Sequence, residues 1–79
     1  MPGIEVNAAD KDGNTALIWA AANGEVEAVK ELLRNEKVDV NAANKNGYTA
    51  LILAAANGKV EVVKVILDKL GLENIEITS

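Results

Sequence analysis

The stretch whose residue types and spacing come nearest to a chemical site is Asp10-Lys11-Asp12-Gly13-Asn14. Carboxylate and amide oxygens fall there at alternate positions, as they do in loops that wrap Ca2+ in oxygen ligands. The pattern fails a few residues on: Thr15 stands where such a loop needs glycine for its sharp bend, and Ala21 where it needs a bidentate Glu. The run is instead read as a tight turn, with Asp and Asn bonding the local backbone and Gly13 taking positive φ. Asn44-Lys45-Asn46-Gly47-Tyr48 repeats it. Thr15 and Thr49 have no base at a recognisable spacing to activate them, and their position suits hydroxyls that cap helices. His and Cys are absent from the chain, which removes the usual acid–base, nucleophilic and soft-metal chemistry. No catalytic residue, cofactor, metal or small-molecule substrate is expected.

The two turns belong to a larger duplication. Residues 7–33 recur at 41–67, offset by 34, and agree at 19 of 27 positions. Thr15-Ala16-Leu17-Ile18 returns as Thr49-Ala50-Leu51-Ile52, and Ala20-Ala21-Ala22-Asn23-Gly24 as Ala54-Ala55-Ala56-Asn57-Gly58. A period of this length marks a solenoid, in which each unit completes its core against its neighbour.

Each copy reads as a turn followed by two helices. Ala16 to Ala22 is rich in helix formers and is closed by Asn23-Gly24, the glycine being free to take the left-handed conformation of a helix C-terminus. The second helix opens with acid, Glu25 and Glu27 or Glu61, at the positive end of its dipole. Its apolar stripe runs Val26, Val29, Leu32, Leu33 in the first copy and Val60, Val63, Ile66, Leu67, Leu70 in the second. Three short phrases, Ile4-Glu5-Val6-Asn7, Val38-Asp39-Val40-Asn41 and Ile75-Glu76-Ile77-Thr78, alternate apolar and polar residues, which predicts extended chain. Trp19 lies on the apolar first helix, and a core or inter-repeat position is expected for it.

Composition narrows the functional classes further. The net charge of −4 comes from dispersed charges with no basic block, so nucleic acid is not expected as a partner. The longest apolar runs fall far short of the ~20 residues that cross a bilayer, and Met1-Pro2-Gly3-Ile4-Glu5 lacks the features of a secretory signal, making a cytoplasmic setting the default.

With turn, Thr cap, Ala-Ala pair, inter-helix glycine and the closing Val40-Asn41-Ala42 in place, the chain resembles the ankyrin repeat family over about 70 residues. The family's T-P-L-H-x-A core stands here as Thr15-Ala16-Leu17-Ile18-Trp19-Ala20 and Thr49-Ala50-Leu51-Ile52-Leu53-Ala54. The resemblance implies an all-α solenoid over residues 1–79, with an N-terminal extended cap at 1–9, one repeat at about 10–43 and another at about 44–77. It implies binding of a protein partner on turn tips and first helices. The positions corresponding to the family's contact sites are Lys11, Asp12, Asn14, Ala22 and Asn23, then Lys45, Asn46, Tyr48, Ala56 and Asn57.

Two departures from the family pattern carry expectations of their own. Ile18 and Ile52 replace the family's His, so apolar packing against the neighbouring unit is expected in place of its hydrogen bonds. The loop Arg34-Asn35-Glu36-Lys37 is longer than the family form and has no glycine. Close agreement between the copies favours a consensus-derived or designed chain, or a recent duplication. Two repeats also leave two end faces. Leu17 and Val29 are expected at one end and Leu51, Leu53, Ile66 and Leu70 at the other, the latter stacking in a homodimer.

Overall fold

The computed structural model describes residues 5–71. Four helices form among them: α1 (Ala16–Ala22), α2 (Val26–Leu33), α3 (Ala50–Ala56) and α4 (Val60–Leu70). Their ends follow the local chemistry. Thr15 is extended (φ −85, ψ 171) and its Oγ1 accepts from the Ile18 N–H at 3.2 Å; Thr49 does the same for Ile52 at 3.1 Å. Both first helices close on a left-handed glycine, Gly24 (φ 72) and Gly58 (φ 70). The following N–H groups reach back to the last turn, Glu25 to the Ala20 carbonyl at 2.9 Å and Lys59 to that of Ala54 at 2.8 Å. Left-handed Gly71 caps α4.

Helices of seven to eleven residues are too short to persist alone in water, so packing must hold them. α1 packs on α2 and α3 on α4, and the two pairs stack with α1 against α3 and α2 against α4. Between them lies an apolar seam. Leu17, Ile18, Ala21 and Val29 come from the first pair, and Ala50, Ala54, Val62 and Ile66 from the second, none more than 2% exposed.

Corresponding residues therefore have opposite fates. Ile18 is 2% exposed and Ile52 45%; Ala21 is buried and Ala55 exposed; Ala28 is exposed and Val62 buried. Each pair thus has a forward side, turned towards the next unit, and a rear side, turned towards the previous one. The seam joins the forward side of α1–α2 to the rear side of α3–α4.

This polarity corrects several sequence expectations. Ile18 packs into the neighbouring pair as expected, but Ile52, on the second pair's forward side, does not. Leu17 and Val29 are interior and not at an outer end. Ile66, expected on the outer C-terminal face, is 0% exposed because it belongs to the rear side of its pair. Val60, placed on the apolar stripe, is 62% exposed, while Val62 takes the seam position. Trp19 is 53% exposed, since it lies on the rear side of the first pair.

The alternating phrases also differ from expectation where they are described. Val6-Asn7 and Val40-Asn41 are turns, closed by the Ala8 N–H to the Glu5 carbonyl at 3.0 Å and the Ala42 N–H to that of Asp39 at 3.3 Å. No strand lies alongside to pair with them among the described residues, and local side-chain bonds win; the Asp39 Oδ1 accepts from the Asn41 N–H at 3.0 Å. Ile4 and Ile75-Glu76-Ile77-Thr78 lie outside the described residues. The glycine-free loop turns on Asn35, whose Oδ1 accepts from the Lys37 N–H at 2.8 Å, and no non-glycine residue there takes positive φ.

Burial separates the two isoleucines in a measurable way. Ile18→His would leave an imidazole with unmet hydrogen bonds in the seam and should cost about 1–3 kcal/mol in a urea melt. Ile52→His should cost less than about 0.5 kcal/mol, as exposed substitutions do. Equal losses at both sites would mean that Ile52 is covered in solution as Ile18 is.

Candidate functional site

The turn tips are built from their first residue. The Asp10 Oδ1 accepts from the N–H groups of Asp12 and Asn14, both at 2.9 Å. The Asp10 N–H donates to the Asn14 carbonyl at 3.0 Å, and that of Gly13 to the Asp10 carbonyl at 2.9 Å. Antiparallel bridges Ala9–Thr15 and Ala43–Thr49 close the base of each tip. Asn44 replaces Asp10 in the second tip without loss, because the bonds need only its Oδ1, which accepts from Asn46 at 2.9 Å and Tyr48 at 3.0 Å. Aspartate or asparagine suffices there. Among the described residues no three His, Cys, Asp or Glu side chains converge as a metal site would require.

The tips are also tied to each other. The Lys45 N–H donates to the Asp12 carbonyl at 3.1 Å, and the Asn44 Nδ2 donates to the Asn14 Oδ1 at 3.0 Å. A Cβ on Gly13 (φ 84) would come 2.9 Å from the Lys45 nitrogen, whereas one on Gly47 (φ 84) would meet nothing within 4 Å. Glycine at 13 is thus required twice, by its dihedral and by the approach of the next tip.

This stack of capped helix pairs with linked tips agrees with comparison at the sequence level, where the family model for ankyrin repeats (3 copies) matches residues 1–79. The chain belongs to the ankyrin repeat family. No curated protein matches it significantly. Ankyrin repeats generally mediate protein–protein interaction, and no helix among the described residues is long and apolar enough to cross a membrane.

Within this ankyrin stack the contact positions divide into two groups. Lys11, Asp12, Lys45, Asn46 and Tyr48 are exposed on the tips, and Asn23 and Ala56 at the first-helix ends. Asn14 and Asn57 spend side-chain atoms on the frame: Asn14 accepts from Asn44, and the Asn57 Nδ2 donates to the carbonyl of half-buried Ala22 at 3.0 Å. The self-association positions do not assemble on one open face. Ile66 is in the seam, and Leu51, Leu53 and Leu70 are half-buried against the core.

Two structural residues escaped the sequence reading. The Asn7 Nδ2 donates to the Lys37 carbonyl at 2.8 Å and its Oδ1 accepts from the Asp39 N–H at 2.7 Å, clamping the N-terminal segment to the loop after α2. Its recurrence as Asn41 was the available signal. The other is the pairing of Trp19, whose Nε1 donates to the Asp10 Oδ2 at 3.0 Å, so the exposed indole is docked on the first tip.

Hydrogen bonds from the Asn14 N–H and the Trp19 indole hold the Asp10 carboxyl below its ordinary value of 3.8; desolvation opposes them, and the Asp12 N–H and the Lys11 charge add smaller pulls in the same downward direction. A depressed folded-state pKa stabilises the fold above the unfolded value, and that contribution is lost as pH falls through the folded one. Stability should therefore drop below about pH 4, with Trp19 emission shifting in step. Asp10→Asn keeps the turn bonds and removes the titration. An acid limb unchanged in that variant would assign the loss to another carboxylate.

The two tip glycines offer a second comparison. Gly47→Ala should cost about 1 kcal/mol from its positive φ. Gly13→Ala should cost at least about 1 kcal/mol more, because backbone must also move. Equal losses in urea melts would show that the tips are not held together in solution.

Proposed function

We propose that this ankyrin chain is a non-catalytic scaffold of consensus or designed origin, whose fold supports interaction with another protein through the turn tips and the adjoining ends of α1 and α3. The observation that carries the reading is the tip-to-tip linkage. Lys11, Asp12, Lys45, Asn46 and Tyr48 project from a backbone already fixed by the Lys45–Asp12 and Asn44–Asn14 bonds. A partner then orders side chains and not a loop, which lowers the entropic cost of binding. Agreement of the copies at 19 of 27 positions supports the designed origin.

Tyr48, 45% exposed, favours a second reading as a natural adaptor, since a lone exposed tyrosine is suited to the centre of an interface.

The scaffold reading is tested by diversification of the intact chain. A library varied at Lys11, Asp12, Asn23, Lys45, Asn46 and Tyr48, selected against one folded target protein, should yield binders at roughly micromolar Kd or better with melts close to that of the parent. A matched library on the six outward positions Glu27, Lys30, Arg34, Glu61, Lys64 and Asp68 should yield fewer. Equal recovery from the two libraries would remove the tips from any special role.

A further inference from the structure

Asparagine precedes glycine at three places, Asn23-Gly24, Asn46-Gly47 and Asn57-Gly58. In such a pair no side chain crowds the glycine nitrogen, which can reach the asparagine Cγ and close a five-membered imide. The three sites share one restraint. Each glycine N–H donates to a carbonyl of the preceding turn, Gly24 to Ala21 at 3.1 Å, Gly47 to Asn44 at 2.9 Å and Gly58 to Ala55 at 3.1 Å. They differ in what holds the asparagine. The Asn57 Nδ2 is tethered across the seam to the Ala22 carbonyl at 3.0 Å, so its Cγ is not free to swing onto the Gly58 nitrogen until that bond breaks. Gly24 lies under the Lys59 side chain, whose Cδ is 2.8 Å from where a Cβ on Gly24 would be, so the second pair also covers the Asn23 site. The Asn46 side chain is exposed on its tip and makes no hydrogen bond among the described residues; only its backbone N–H is engaged, with the Asn44 Oδ1 at 2.9 Å.

We propose that Asn46-Gly47 is a site of spontaneous covalent modification, at which the fold permits deamidation while the contact between the helix pairs protects Asn57-Gly58. The Gly47 nitrogen attacks the Asn46 Cγ, and a C–N bond forms as the side-chain NH2 leaves as ammonia with the hydrogen from that nitrogen. Water then opens the imide. Cleavage of the new bond gives aspartate at 46, whereas cleavage between the nitrogen and the Asn46 main-chain carbonyl carbon gives isoaspartate, with the chain running through Cγ. Nothing is oxidised or reduced, and water is the only co-reactant. The aspartate product suits the turn, because Asp12 holds the matching place in the first tip and its N–H makes the same 2.9 Å bond, there to Asp10. Isoaspartate puts an extra methylene into the main chain of a turn closed by the Asn44 N–H on the Tyr48 carbonyl at 3.0 Å, and so strains it. Either product sets a new carboxylate between Lys45 and Tyr48, which changes the charge of the tip. At Asn57 the same conversion would face a carboxylate oxygen towards the Ala22 carbonyl and remove the bond between the pairs.

The test incubates the full chain in mildly alkaline buffer, folded and in urea. Conversion at each asparagine is followed by digestion and mass spectrometry, with fragment masses assigning the site and retention separating aspartate from isoaspartate. In the folded chain Asn46 should convert at least about fivefold faster than Asn57, the factor in rate that one net hydrogen bond is worth, with Asn23 between them. In urea Asn57 should gain most and the gap should close, because the tether to Ala22 and the cover of Lys59 are then gone. The Asn46→Asp variant should melt as the parent does. Conversion of Asn57 as fast as Asn46 in the folded chain would overturn the proposal. So would an Asn46 that stays intact in the folded chain while the urea sample reacts. A gap that persists unchanged in urea would assign the difference to neighbouring residues and remove the fold from the explanation. A destabilised Asn46→Asp variant would overturn the claim that the turn accepts the product.

Discussion

Everything in this molecule depends on the seam between the helix pairs. None of the described helices is long enough to stand in water alone, and each pair keeps an apolar side that it cannot bury against itself. Alanines on the first helices, Ala20, Ala21, Ala50 and Ala54, let α1 and α3 approach closely, while Val29, Val62 and Ile66 fill the wider space between the second helices. Because α1 and α3 begin at the Thr caps that end each tip, the spacing set by the seam is passed directly to the tips. It is what brings Gly13 against the backbone of Lys45.

A seam of Ala, Val, Leu and Ile holds by close packing, without directional bonds. Three asparagine clamps add directional bonds to it. Asn44 holds Asn14 at the tips, Asn57 holds the carbonyl of Ala22 where α1 ends, and Asn7 holds the loop at Lys37 and Asp39. Each exchanges water for protein partners, so its net contribution is modest, about 1 kcal/mol. Their value is geometric: they fix the stack at three places along the helix axes, two of them with asparagines that also recur at the matching position of the other copy, Asn7 as Asn41 and Asn57 as Asn23.

Much of this was legible in the sequence because it is local. Thr15 and Thr49, Asn23-Gly24 and Asn57-Gly58 mark helix ends through bonds to neighbouring residues, and they appear where those residues stand. Side selection was not legible from one helix at a time, since the periodicity of α4 shows an apolar stripe without saying which flank meets a neighbour. Val60 and Val62 are both valines near the start of α4, and only the stack makes one 62% and the other 0% exposed. Trp19 misled for the same reason: its type suits a core, but its position faces away from the second pair. The alternating phrases were too short for period two to outweigh the pull of Asp and Asn side chains on nearby backbone.

The comparison that does reveal the sides is between the copies. A residue that differs at a rear position has one environment in α3–α4 and another in α1–α2, whereas forward residues are the same in both. The tips differ independently of either, at 10 and 44, 12 and 46, and 14 and 48. They are free to do so because the bonds that shape them run through the backbone and a single acceptor oxygen at the first position, which Asp10 and Asn44 supply equally. Apart from the Asn44–Asn14 and Trp19–Asp10 bonds, surface chemistry at the tips is thereby uncoupled from the packing that carries it, which is the physical condition for a fold that accepts new contact residues at the remaining tip positions without losing its stack.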